Sequence, residues 1–282
     1  MRRLPAGLAA LGMLWALAGC GAPQGGTAQS AGAAAPTTTV VRPGTATVKQ
    51  RETYLSRRTI NLAVYYLRSF KGRRYLAPEW HPVSHTRAVA AAAVGELLDG
   101  VPYCDGSRRP FPAGTRLRGI DLDEGTATVE LSGTGPRLSR WALQALVHTL
   151  TQFPTVQQVL VRVDGRVVAG RRVRDPALPL APIALAEPAA GALIKGDRLV
   201  VKGEASVYEG TVSLRLRDHQ GQVMAQGHAT AAEGAPGRGL FSGALSFTPP
   251  AASQSWTLEA FEVSAENGEI VYSVQLPVWV GR

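Results

Sequence analysis

The sequence predicts an α+β protein of two unlike domains in tandem, a mixed α/β unit followed by an all-β sandwich. Three observations predict it. Between residues 58 and 170 the apolar positions switch between two-residue and 3.6-residue spacing, whereas beyond 181 they keep strand spacing alone. Charge reverses at the same place: residues 58–175 carry 17 basic and 10 acidic groups, residues 176–282 carry 7 and 10. Pro176, Pro179 and Pro182 mark a short, stiff connection between them.

The whole chain has 282 residues, is 45% hydrophobic and carries a formal charge of +9. That length and composition suit one or two cored domains. Two cysteines exclude a disulfide-framed mini-protein and a four-cysteine metal site. Beyond the N-terminus no stretch reaches the roughly 18–20 apolar residues that a membrane-spanning helix needs.

Met1-Arg2-Arg3 is a basic start, Leu8 to Leu17 an apolar stretch, and Leu17-Ala18-Gly19-Cys20 a small-residue close. Basic, apolar and small in that order describe a secretory signal. The close resembles the bacterial lipoprotein box. That resemblance implies a signal peptide over 1–19, cleavage after Gly19 and a lipid on the Cys20 thiol. The mature protein is then expected outside the cytoplasm, tethered to the cell membrane, a spore membrane or an intermembrane space. Residues 20–57, rich in Ala, Gly, Thr, Pro and Ser, read as a flexible tether.

The α/β domain is placed at 58–172. Ile60, Leu62, Val64 and Tyr66 alternate as a strand. Thr86 is a candidate helix cap, followed by Val89, Ala90, Ala93, Val94, Leu97 and Leu98 at helical spacing and by the stop signals Gly100 and Pro102. Arg116 to Asp121 and Thr126 to Leu131 read as strands joined by Asp123-Glu124-Gly125, a hairpin turn. Leu138, Ala142, Ala145, Leu146, Thr149, Leu150 and Phe153 form a second amphipathic helix, stopped by Pro154. Val156, Val159, Val161 and Val163 give a last strand ending at Asp164-Gly165. The order is β-α-β-β-α-β, with two helices on a small sheet. Arg68 to His85 is left as a long basic loop.

Here the residues resemble a known family. Pro112-Ala113-Gly114-Thr115, Gly125 to Ser132, and Leu143-Gln144-Ala145-Leu146-Val147-His148-Thr149-Leu150-Thr151-Gln152-Phe153-Pro154 are similar to the GerMN domain of sporulation and spore germination proteins. The content of that motif is mostly fold, with Thr149, Gln152 and Phe153 ending a helix.

In 181–282, glycines recur at turn spacing between about seven short strands, a pattern of an immunoglobulin-like β-sandwich. No cysteine pair supports it. Val207 to Val212 and Phe261 to Gly268 resemble the immunoglobulin-like domain of bacterial spore germination. The pairing of the two domains on a lipoprotein resembles a family architecture. It implies a non-enzymatic binding or assembly module in sporulation or germination, with envelope or spore-assembly proteins, or further copies of itself, as partners.

Few residues stand in patterns that carry chemistry. His81 and His85 have i, i+4 spacing, but Pro82 opposes a helix through both. His148 reads as a helix histidine, Asp121, Asp123 and Glu124 as turn residues, Glu209, Glu262 and Glu266 as a solvated rim, and Cys104 as a lone thiol. No catalytic residue, cofactor or metal is expected, and no phosphate-loop or hydrolase motif is present. The basic clusters, represented by Arg73, Arg74, Arg108, Arg109, Arg116 and Arg118, are candidate interaction residues for anionic lipid or an acidic partner. Nucleic acid is not expected, because no aromatic platform accompanies them. The alternative function is binding of peptidoglycan or another envelope polymer by a lipoprotein unrelated to spores, for which Trp256, Trp279, Tyr208 and Tyr272 are the aromatic candidates.

Overall fold

The computed structural model describes residues 59–281. The signal segment, Cys20 and the tether lie outside the described residues. Fifteen strands and two α-helices follow one another among the described residues.

The first domain opens with a twelve-residue hairpin, β1 (Thr59–Phe70) and β2 (Arg73–Ser84), paired from Thr59↔Ser84 to Phe70↔Arg73. The segment read as a basic loop is therefore a strand. Pro78 and Pro82 hid it, yet neither interrupts pairing. They stand opposite Tyr65 and Asn61. The Tyr65 N–H points away from β2, to Thr149 Oγ1. By strand alternation the missing proline donors also face outward, where β1 needs none.

Helix α1 (Val89–Asp99) buries Ala93, Val94, Leu97 and Leu98. Its N-cap is Ala88 rather than Thr86, whose hydroxyl instead accepts from the Ala88 N–H. The two-residue β3 (Ser107–Arg108) pairs with β1. β4 (Arg116–Asp123) and β5 (Thr126–Ser132) form the expected hairpin. Its turn places Glu124 and Gly125 at φ 44° and 76°, both left-handed, as a type I′ connection requires. Helix α2 (Arg140–Leu150) starts at Ser139, whose side chain accepts from the Ala142 N–H. It crosses from β5 to β6 (Gln158–Val163), which run parallel. A last strand, β7 (Arg166–Arg172), returns antiparallel beyond the Asp164-Gly165 turn.

The core order β1-α1-β4-β5-α2-β6 is the split arrangement expected, with β2, β3 and β7 added. The strands divide into a sheet β2-β1-β3 and a sheet β4-β5-β6-β7. One apolar cluster, including Val64, Tyr66, Leu97, Leu131, Leu146 and Val161, joins both sheets to both helices.

The α2 motif has a definite task. Around Ala63 and Tyr65, the β1 edge facing away from β2 has no strand partner among the described residues. There Gln152 acts as one: its Oε1 accepts from the Ala63 N–H (3.0 Å) and its Nε2 donates to the Ala63 carbonyl (2.8 Å). Thr149 Oγ1 accepts from the Tyr65 N–H (3.1 Å). Two side chains of a helix end thus satisfy backbone groups that burial would otherwise strand.

The second domain packs the sheet β13-β10-β8 against the sheet β12-β11-β14-β15-β9. The strands are β8 (Ile183–Glu187), β9 (Leu193–Lys195), β10 (Arg198–Ala205), β11 (Thr211–Arg217), β12 (Val223–Thr230), β13 (Gly239–Ser246), β14 (Gln254–Val263) and β15 (Ile270–Gly281). Alternate residues of β10, such as Leu199 and Val201, face Val212, Leu214, Leu258 and Leu276 in one sandwich core. Trp256 and Tyr272 are buried there, whereas Tyr208 and Trp279 are exposed.

Candidate functional site

The two domains meet through a buried, hydrogen-bonded junction built mostly from the hairpin β1–β2. The connection between domains runs alongside β2: the Leu76 N–H donates to the Pro179 carbonyl and the Ala181 N–H donates to the Leu76 carbonyl, both at 2.9 Å. The linker thus occupies the outer edge of β2, the edge onto which the prolines also face. Phe70 and Tyr75 pack their rings on Tyr272 of β15, at 5.4 and 5.3 Å between centroids. Ala77 and Cys104 belong to the apolar cluster of the sandwich.

Polar groups lie within this contact. Arg68, nearly fully buried, donates from Nη2 to the Ser273 carbonyl (3.1 Å) and lies 5.8 Å from the Tyr272 ring centre. Buried Glu79 accepts from the backbone N–H groups of Tyr103 (2.5 Å) and Cys104 (3.3 Å). Glu79 thereby anchors the loop whose Asp105 N–H donates to the Gln275 carbonyl of the sandwich (3.2 Å). Buried His81 stacks on Tyr103 at 4.1 Å and sits 3.1 Å, through Nδ1, from Glu96 Oε2. Burial pushes the Cys104 thiol up to about 12, so it is a protonated packing residue at neutral pH. Burial also raises the Tyr66 and Tyr272 phenols, reinforced at Tyr66 by Glu79 and Glu96.

Little in the sequence marks this junction. The available signal was a single acid inside the apolar run Leu76-Ala77-Pro78-Glu79-Trp80. His81 and His85 are separated in role: the first is buried in the junction, the second exposed after β2.

The six candidate arginines are all exposed, but the structure sorts them. Arg109 donates to the Leu98 carbonyl at the end of α1 (3.0 Å), Arg116 pairs with Asp99 (3.4 Å), and Arg118 donates to Ser132 Oγ (2.7 Å). These three serve the fold locally. The side chains of Arg73, Arg74 and Arg108 make no hydrogen bond or ion pair among the described residues. Register puts Arg74, opposite Ser69, and Arg108, opposite Leu67, on one face of the first sheet. Arg73, opposite Phe70, lies on the other face.

Of the acidic candidates, Glu209 and Glu266 are exposed. Asp121, Asp123 and Glu124 are exposed on the β4–β5 hairpin. Glu262 accepts from the Tyr208 N–H (2.9 Å) and holds a tight turn of the sandwich. Among the described residues no group of three or more His, Cys, Asp or Glu side chains is placed to hold a metal ion, and no helix is long and apolar enough to cross a membrane.

Two family models match the chain in order. Residues 63–169 match the family described as sporulation and spore germination, and residues 182–269 match the immunoglobulin-like domain of bacterial spore germination. Among solved structures, the tandem GerMN domains of the sporulation protein GerM from Bacillus subtilis are similar at 23% identity and TM-score 0.41, covering 50% of this chain and 50% of that one. This chain thus spans about half the length of that structure. The first GerMN domain of the same protein is similar at 22% identity and TM-score 0.34, covering 43% of this chain and 98% of that one. No curated protein matches the chain.

Proposed function

We propose that this chain, a GerMN-type domain joined to an immunoglobulin-like domain of bacterial spore germination, works as a non-enzymatic, lipid-anchored binding and assembly body in the envelope of a spore-forming cell. The carrying observation is the junction. Arg68, Glu79 and the linker's bonds to Leu76 hold the two domains in one fixed relation. A fixed body presents a composite surface without a fresh ordering cost at each encounter, which suits assembly. Arg73, Arg74 and Arg108 then offer uncommitted positive charge for an acidic partner or an anionic headgroup. Cys20 carries the lipid and sets the membrane side, with residues 20–57 as the tether.

Gene deletion in the native host, scoring heat-resistant spore yield and germinant response separately, tests this reading. Loss of yield places the protein in spore assembly, and slow germination with normal yield places it in germinant response. No change in either would overturn the spore role and favour a general envelope-binding lipoprotein. Complementation with Cys20→Ser should restore protein in the medium rather than at the membrane. Complementation with the combined Arg73→Glu, Arg74→Glu and Arg108→Glu variant should leave folding intact and reproduce the deletion defect.

A further inference from the structure

An open cleft of about 540 Å³ lies where α2, the linker and the sandwich converge. Its volume is in the range of small-ligand sites, about 300–1,000 Å³. His148, on α2, lines it and is only 3% exposed, yet neither of its ring nitrogens has a hydrogen-bond partner. A buried imidazole with both nitrogens unmet costs stability unless a further group engages it. Two arginines from different domains flank it, Arg174 of the linker and Arg238 of the sandwich. Each is oriented by a single bond: Arg174 Nε donates to Thr151 Oγ1 (2.7 Å) and Arg238 Nη2 donates to the Ala181 carbonyl (2.6 Å). Their remaining guanidinium donors stay available. Pro176, Pro182 and Pro236 supply apolar ring faces along the walls.

We propose that this cleft binds a monoanionic sugar acid, whose carboxylate pairs with Arg174 and Arg238 and whose neighbouring hydroxyl or amide engages the ring nitrogen of His148 that faces the cleft. The planar guanidinium fork matches a carboxylate in geometry. Desolvation, reinforced by Arg174, lowers His148 to about 4. The imidazole is therefore neutral near pH 7, with one donor and one acceptor nitrogen. A bare inorganic anion can meet only the donor nitrogen, whereas a hydroxyl or amide beside the carboxylate can meet whichever nitrogen faces the cleft. Carboxylates near the cleft limit the charge it will accept. Asp175 lines it, already bound by Arg140 (2.5 and 2.9 Å), and Glu204 acts together with Arg174 and Arg238 on the buried Tyr65 phenol. A dianionic phosphate meets more repulsion there than a single carboxylate. The inference does not depend on a spore role, since a ligand cleft and an assembly body can occupy one protein.

The test titrates the full-length protein, labelled with 15N-arginine, with N-acetylmuramic acid, N-acetylglucosamine and inorganic phosphate. The expected result is movement of the Arg174 and Arg238 side-chain resonances with N-acetylmuramic acid alone. His148→Phe keeps the ring volume and its packing near Tyr65. It should preserve the fold and weaken binding at least about tenfold, or about 1.4 kcal/mol. Arg174→Gln should weaken binding to a similar degree. Equal response to the sugar lacking the carboxylate, response to phosphate alone, no response to N-acetylmuramic acid, or unaltered binding in His148→Phe would each overturn the proposal.

Discussion

The two domains solve the burial of polar groups in opposite ways. The sandwich buries Glu259 and Ser273 and otherwise closes its core with aliphatic and aromatic side chains. The α/β domain buries Arg68, Glu79, His81, Gln144, His148 and Thr149 together with several hydroxyls. Most of those side chains hold backbone: Glu79 holds a loop, Gln144 the linker at Val173 and Asp175, and Thr149 the edge of β1. Glu259 instead meets the side chains of Arg215 and Arg217 on a partly wetted face. The sandwich satisfies most of its backbone by strand pairing, with Glu262 at Tyr208 a local exception, whereas a split α/β unit leaves more strand edges and loops that side chains must complete.

Removing a side chain that holds buried backbone should therefore cost more than removing one that pairs with wetted arginines. Glu79→Ala strands the Tyr103 and Cys104 donors and should lose about 2–4 kcal/mol. Calorimetry should also show it splitting a single unfolding transition into two, because Glu79 anchors the loop that bonds to the sandwich. Glu259→Ala should cost less, since Arg215 and Arg217 regain water. Equal losses in urea titrations would break the comparison.

Acid should weaken the two domains in different windows. The His148 value falls from 6.5 to about 4 on folding. The unfolded chain then binds the proton more readily. The stabilising neutral form is fully present above about pH 6.5, and up to about 3 kcal/mol is lost as pH falls toward 4. At Glu259 burial alone would raise the carboxyl, but hydrogen bonds and charge from Arg215, with Gln275 and Arg217, hold it below the usual carboxylate range. Its contribution is present above the unfolded carboxylate value and fades only as pH falls through the lower folded one. Amide hydrogen exchange should thus show the α2 region loosening first, and His148→Phe should remove that early loss.

Gln152→Ala reopens one residue of the β1 edge and should cost about 1–2 kcal/mol, read as faster exchange at Ala63. Arg116→Ala removes only an exposed pair with Asp99 and should stay within about 0.5 kcal/mol in the same urea titration.

Legibility in the sequence follows the same division. Helix α2 was readable because Leu138 to Phe153 keeps helical spacing, and the β4–β5 turn because Glu124-Gly125 suits its left-handed geometry. Strand β2 was not readable. Its prolines and arginines suggest a loop, and only the pairing with β1 shows that the prolines face the edge where no donor is needed. The α2 motif could be read as a helix end, but its partner Ala63 lies 89 residues away from Gln152.

By itself, the sequence determined the two-domain order, the helices, the hairpin turns and the sandwich class, since these follow from periodicity and turn chemistry over short windows. Only the tertiary structure decided which arginines are committed to the fold, that Glu79 and Arg68 weld the domains together, and that His148 faces a cleft between two arginines. Those outcomes depend on contacts between residues far apart in the chain, where burial turns an ordinary polar side chain into one whose partners matter.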